Sequence, residues 1–138
     1  MFPKDIRILI VDDMLTMRKI VQKILTDLGF TNITAAEDGQ KAWEKITGTV
    51  NSALPYQLII SDVNMPNLNG MELLKKVKTI DQMKPVPFIF LSAEGEKKIV
   101  VEAIQSGATT YILKPFTPQS FSEKLKAAYD AHSTAKAA

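Results

Sequence analysis

The sequence predicts an α/β protein, a parallel sheet wound with helices on both faces, and three observations carry that prediction. Five short apolar runs of the kind that form buried strands alternate with stretches whose apolar residues recur every three or four positions. Gly, Pro and Asn punctuate the boundaries. The 138 residues, 46% hydrophobic and 23% charged, suit one domain whose folding buries about two-thirds of its chain surface.

Strand one, Ile6 to Val11, is apolar except for Arg7 and ends on Asp12-Asp13. Met17, Ile20, Val21, Ile24, Leu25 and Leu28 then form one helical face, and Gly29 supplies a left-handed stop. Asn32 to Ala36 is a second strand, followed by Glu37-Asp38-Gly39 and a helix carrying Ala42, Trp43 and Ile46 until Gly48. Trp43 reads as a packing residue. Thr47 to Gln57 has no period and is expected to be a surface loop, long for a helix-to-strand connection.

Strand three, Leu58 to Ser61, delivers Asp62 to a lip formed by Pro66, Asn67, Asn69 and Gly70. The next helix places Met71, Leu74 and Val77 inward, with Lys75, Lys76 and Lys78 outward. Pro85 and Pro87 introduce strand four, Phe88 to Leu91, which ends on Ser92. Its helix carries Ile99, Val100, Ala103 and Ile104 before Gly107, with Glu94 and Glu96 suited to the helix N-terminus. Strand five, Thr110 to Leu113, ends on Lys114-Pro115. Thr117-Pro118 opens a last helix lined by Phe121, Leu125 and Ala128. Residues 1–131 form the domain, and 132–138 read as a flexible tail.

Five strands alternating with five helices, joined by right-handed crossovers, suit a flavodoxin-like sheet in the order 2-1-3-4-5. In that order the carboxyl ends of all strands share one edge, with strands one and three adjacent at the switch point. Asp12, Asp13, Asp62, Ser92 and Lys114 therefore converge from distant parts of the chain.

Composition narrows the chemistry. No cysteine is present, and His132 is the single histidine, so disulfides, thiolate catalysis and zinc sites built on these residues are excluded. No apolar run approaches the roughly 18 residues of a membrane span, and the N-terminus lacks a signal-peptide layout, which suggests a cytoplasmic protein without membrane contact. A net charge of +2 with scattered lysines does not suggest nucleic acid. The acidic pairs Asp12-Asp13 and Glu37-Asp38, with Asp62 and Glu94, follow predicted strands and are expected to make that sheet edge negative.

Carboxylates crowded together raise one another's pKa unless a cation neutralises them, and oxygen donors without nitrogen or sulfur suit Mg²⁺. Lys114 and Ser92 add a positive charge and a hydroxyl, the groups that phosphoryl transfer needs around its equatorial oxygens. One of the carboxylates is then the nucleophile, giving an acyl phosphate. Each residue alone has an ordinary role: Asp13 and Ser92 as helix caps, Asp62 as a turn residue, Lys114 on the surface. Their conjunction at four strand ends is what carries the reading.

Val11-Asp12-Asp13 with Thr16-Met17-Arg18, Ala36-Glu37-Asp38-Gly39, Ser61 to Asn67, Gly70, Gly107-Ala108 and Tyr111 to Phe116 together resemble the response-regulator receiver family over nearly the whole chain. The stand-alone receivers of chemotaxis are the most similar group. The resemblance implies phosphorylation of Asp62 by a histidine kinase. It also implies Mg²⁺ held by Asp13, Asp62 and the backbone carbonyl of Asn64, with Asp12 acting directly or through water. Lys114 and Ser92 would grip the phosphoryl group, Tyr111 would turn inward as the switch, and Lys114-Pro115 would be cis. Such a protein catalyses its own phosphorylation and dephosphorylation without being an enzyme on outside substrates, acts as a monomer, and signals to a flagellar motor switch protein. Direct transcriptional control is disfavoured. A phosphorelay shuttle or non-flagellar adaptor is the alternative. Val63 stands where the best-known chemotaxis regulators have tryptophan, and Ser92 replaces the commoner threonine. A flavin carrier is disfavoured because Asp12-Asp13 would repel the phosphate, and an aspartyl phosphatase because position 64 is Asn and not the acid/base aspartate.

Overall fold

The computed structural model describes residues 1–93 and 97–137, with side chains through His132. Its strands are β1 (Arg7–Val11), β2 (Asn32–Ala36), β3 (Leu58–Asp62), β4 (Phe88–Ala93) and β5 (Thr110–Lys114). They alternate with α1 (Leu15–Asp27), α2 (Gly39–Thr49), α3 (Gly70–Val77), α4 (Lys97–Gln105) and α5 (Pro118–Ala137), and a short 3₁₀ turn at Asp81–Met83 precedes β4. The sheet is parallel throughout in the order β2-β1-β3-β4-β5, the flavodoxin-like arrangement expected.

Two apolar layers explain the apolar run Leu58, Ile59 and Ile60 that opens β3: every residue of the strand is buried, because helices cover both faces. On one face Leu9, Val11, Ile59, Phe88 and Phe90 pack with Leu73, Leu74 and Val77 of α3 and with Ala42 and Ile46 of α2. On the other, Ile8, Ile10, Ile60, Leu91 and Ile112 pack with Val21 and Leu25 of α1 and with Phe121 and Leu125 of α5. Register sets the site. Val11 lies opposite Ser61, Asp62 opposite Leu91, and Ala93 opposite Lys114, so the strand ends finish close to one level.

Several local expectations change. Ile20 is 43% exposed because it lies at the edge of the α1 stripe, whose centre is Val21, Ile24 and Leu25. Helix α2 passes through Gly48 to Thr49. The following segment is anchored: Tyr56 is buried, Arg7 Nη1 donates to the Leu54 carbonyl at 2.7 Å, and the Arg7 guanidinium lies 4.6 Å from the Tyr56 ring centroid. Lys78 is not turned to solvent. Its Nζ donates to the carbonyls of Lys84 (2.9 Å) and Val86 (3.2 Å), and burial lowers its pKa. In α4 only Ala103 is fully buried, and Ile104 is exposed. Glu94 and Glu96 lie outside the described residues. Helix α5 runs through Ala137. The His132 ring sits 6.4 Å from that of Phe2.

Candidate phosphoacceptor and metal site

The first turn after β1 fixes Asp12. Its N–H donates to the Ala36 carbonyl of β2 (3.1 Å), and its own carbonyl accepts from Arg18 Nη1 (2.8 Å). The side chain is fully buried. Oδ1 accepts from the Met14 N–H at 2.9 Å, whereas Oδ2 has no hydrogen bond among the described residues. Burial raises the Asp12 pKa above its ordinary 3.8; the Met14 N–H opposes this, Asp62 and Asp13 add to it, and Lys114 opposes it. Arg18 is a residue whose role the sequence did not reveal, because its partner is a backbone carbonyl.

Asp62 is the last residue of β3 and only 9% exposed. Its Oδ1 accepts from the Val63 N–H (2.8 Å) and from Lys114 Nζ (3.1 Å). Lys114, at the end of β5, also places Nζ 3.6 Å from Asp12 Oδ2, so one ammonium is shared between two carboxylates. Asp13 is exposed, and one oxygen each from Asp12, Asp13 and Asp62 lie within 4.8 Å of one another.

This donor set fits a hard divalent cation. Three carboxylates face a single ammonium, and the buried Asp12 Oδ2 without a hydrogen bond is an oxygen that a cation would satisfy. The loop carrying Asn64, two residues beyond Asp62, is exposed there.

Glu37 and Asp38, which follow β2 on the same sheet edge, are engaged outside the cluster. Glu37 pairs with Lys41, and Asp38 caps α2 by accepting from the Lys41 N–H at 2.8 Å. Ser92 is buried one position past Leu91, the register partner of Asp62, and its hydroxyl donates to the Ala93 carbonyl at 3.3 Å. Tyr111, in β5, is half-buried against the α2/α3-side core, with Lys124 Nζ 4.7 Å from its ring centroid. Lys114-Pro115 is cis.

The sequence profile of the response regulator receiver domain matches residues 8–126. The chemotaxis protein CheY1 of Helicobacter pylori is 41% identical over 120 residues, covering 87% of this chain and 94% of that protein. The chemotaxis protein CheY homolog of Campylobacter jejuni is also 41% identical over 120 residues, covering 87% and 89%. Among solved structures, the chemotaxis response regulator CheY4 of Vibrio cholerae superposes with a TM-score of 0.80 at 32% identity, covering 90% of this chain and 98% of that one.

Proposed function

The chain belongs to the response regulator receiver domain family, and on that footing we propose that it is a phosphorylation-controlled switch of chemotaxis, with Asp62 as its phosphoacceptor. The observation that carries this reading is the arrangement of Lys114 Nζ between Asp62 Oδ1 and the unsatisfied Asp12 Oδ2 at the end of the central strand.

Asp12, Asp13, Asp62 and the Asn64 carbonyl would hold Mg²⁺, which would supply the positive charge that lets a dianionic phosphoryl group approach three carboxylates. Asp62 Oδ1 is engaged by two donors, which leaves Oδ2 to attack the phosphorus of the kinase's phosphohistidine. The new O–P bond forms as the P–N bond breaks. The electron pair stays on the imidazole nitrogen, and the ring departs neutral when its other nitrogen carries a proton. Lys114 stabilises charge on the equatorial oxygens, and the buried Ser92 hydroxyl, released from the Ala93 carbonyl, donates to one of them.

That movement of Ser92 vacates space toward which Tyr111 turns. Lys124 lies over the Tyr111 ring, and the flanking elements carry exposed apolar residues, Val101 and Ile104 of α4 and Leu113 of β5, with exposed Lys97 and Lys98 at the start of α4. Such a face suits a short amphipathic, acidic helix like the N-terminal peptide of a flagellar motor switch protein. A shift of about 1.4 kcal/mol in a two-state equilibrium gives tenfold in affinity.

The test is peptide affinity with and without beryllofluoride, which stands in for the phosphoryl group on Asp62. Affinity should rise about tenfold, and Tyr111→Ala should reduce the gain. Equal affinity in both states would favour a phosphorelay shuttle instead.

A further inference from the structure

Asp38 is an acidic residue of the sheet's carboxyl edge that takes no part in the carboxylate cluster. It is 5% exposed, and its two oxygens do different work: Oδ1 caps α2 through the Lys41 N–H, and Oδ2 accepts from Asn67 Nδ2 at 2.9 Å. Asn67 lies in the segment between β3 and α3, five residues after Asp62 and three after Asn64.

That segment is under constraint at both ends. Gly70 N–H donates to the Val63 carbonyl (2.8 Å) and closes its base. At its tip Leu68 N–H donates to the Pro66 carbonyl (2.7 Å), a γ-turn centred on Asn67, whose φ of 68° is the only positive value outside glycine among the described residues. A γ-turn with positive φ is strained and persists only where its surroundings hold it. Here the surroundings are the β2–α2 corner: the Asp38 carboxylate on the Asn67 amide, and the Gly39 N–H on the Leu68 carbonyl at 3.1 Å. The approach is so close that a Cβ on Gly39 would lie 2.1 Å from the Leu68 carbonyl oxygen.

We infer that Asp38 and Asn67 are positioning residues, whose hydrogen bond holds the loop after Asp62 in the shape that lets the Asn64 carbonyl join the carboxylates around Mg²⁺. The inference rests on the metal reading above. Neither residue is a metal ligand; they act through the backbone between Asn67 and Asn64, as supporting groups outside a ligand shell do.

Asn67→Gly separates this role from folding, because glycine adopts positive φ without strain while losing the side-chain bond to Asp38. Mg²⁺ alone is titrated while the amide chemical shifts of Val63 and Asn64 are followed, and melting temperature is measured in parallel without metal. Asn67→Gly should weaken Mg²⁺ binding about tenfold with melting unchanged or raised. The charge-conserving exchange Asp38→Asn with Asn67→Asp keeps a cap for α2 and reverses the donor and acceptor of the bond, and should bind Mg²⁺ nearly as the parent does. Unchanged affinity in Asn67→Gly overturns the inference. So does an affinity loss that comes with a lowered melting temperature, which would assign Asn67 to folding alone. A parent protein that binds no Mg²⁺ overturns the metal reading itself, and the inference with it.

Discussion

At the amino edge of the sheet, Lys78 sets a half-buried ammonium against two backbone carbonyls, and Arg7 sets its guanidinium on the Leu54 carbonyl and the Tyr56 ring. At the carboxyl edge, Asp12 buries a carboxylate completely and leaves one oxygen without a hydrogen bond, beside two more carboxylates and one shared lysine. Desolvation shifts both titrating groups toward their neutral forms, raising Asp12 and lowering Lys78. The difference lies in what meets the charge. The amino edge closes its cations with the chain's own carbonyls, whereas the carboxyl edge keeps an electrostatic deficit that a bound cation would relieve.

The largest effect tests that deficit. Asp12→Asn should raise the stability of the metal-free protein by about 1–3 kcal/mol, because it removes a buried, unsatisfied charge. The same change should abolish most of the stabilisation by Mg²⁺ and slow labelling by acetyl phosphate about 100-fold. Thermal melts with and without Mg²⁺ measure the first two outcomes. A variant that melts lower without metal, and is stabilised by Mg²⁺ as before, would place Asp12 in the fold and not in the site.

A smaller effect compares room at the two edges. A Cβ on Gly70, just beyond the acceptor loop, would lie 2.2 Å from the Asp62 carbonyl oxygen and 2.7 Å from Phe90 Cε1, while one on Gly48, near the end of α2, meets nothing within 4 Å. Gly70→Ala should cost about 1–3 kcal/mol of stability as strand and ring shift, and Gly48→Ala should gain about 0.5–1 kcal/mol as a helix-interior glycine is replaced. Denaturant unfolding reads both, and similar values would remove the contrast.

The smallest effect is a pH slope at the amino edge. Because burial holds the Lys78 pKa below its ordinary 10.5, the folded protein binds fewer protons at this group than the unfolded chain does. Its contribution to stability therefore rises with pH between the lowered value and 10.5, and is lost as pH falls through the lowered value. Lys78→Met should flatten that rise in unfolding free energy measured against pH. An identical slope in the variant would show that the ammonium is solvated.

What was legible in the sequence follows the same division. The strands and the carboxyl-edge residues could be read because buried parallel strands leave uninterrupted apolar runs, and Asp12, Asp62, Ser92 and Lys114 each stand at or next to the end of one. At the amino edge Lys78 was misread as a solvated lysine, and the surface loop before β3 was read correctly but without its anchor, because the main partners of Lys78 and Arg7 are backbone carbonyls, which every residue has. The partner of Asp38 was illegible for a related reason. Its position after β2 matches that of Asp12 after β1, yet whether such a carboxylate points to the cluster or to Asn67, 29 residues away, is decided by packing of the β3–α3 loop.

Asp62 is the residue on which phosphorylation of this chain turns. Incubation of the parent protein with acetyl phosphate and Mg²⁺, reductive trapping of the acyl phosphate with borohydride, and mapping by tandem mass spectrometry should find a single modified residue, Asp62, with labelling lost in excess EDTA and in Asp62→Asn. Label on another carboxylate, or base-labile label that persists in Asp62→Asn, would contradict it.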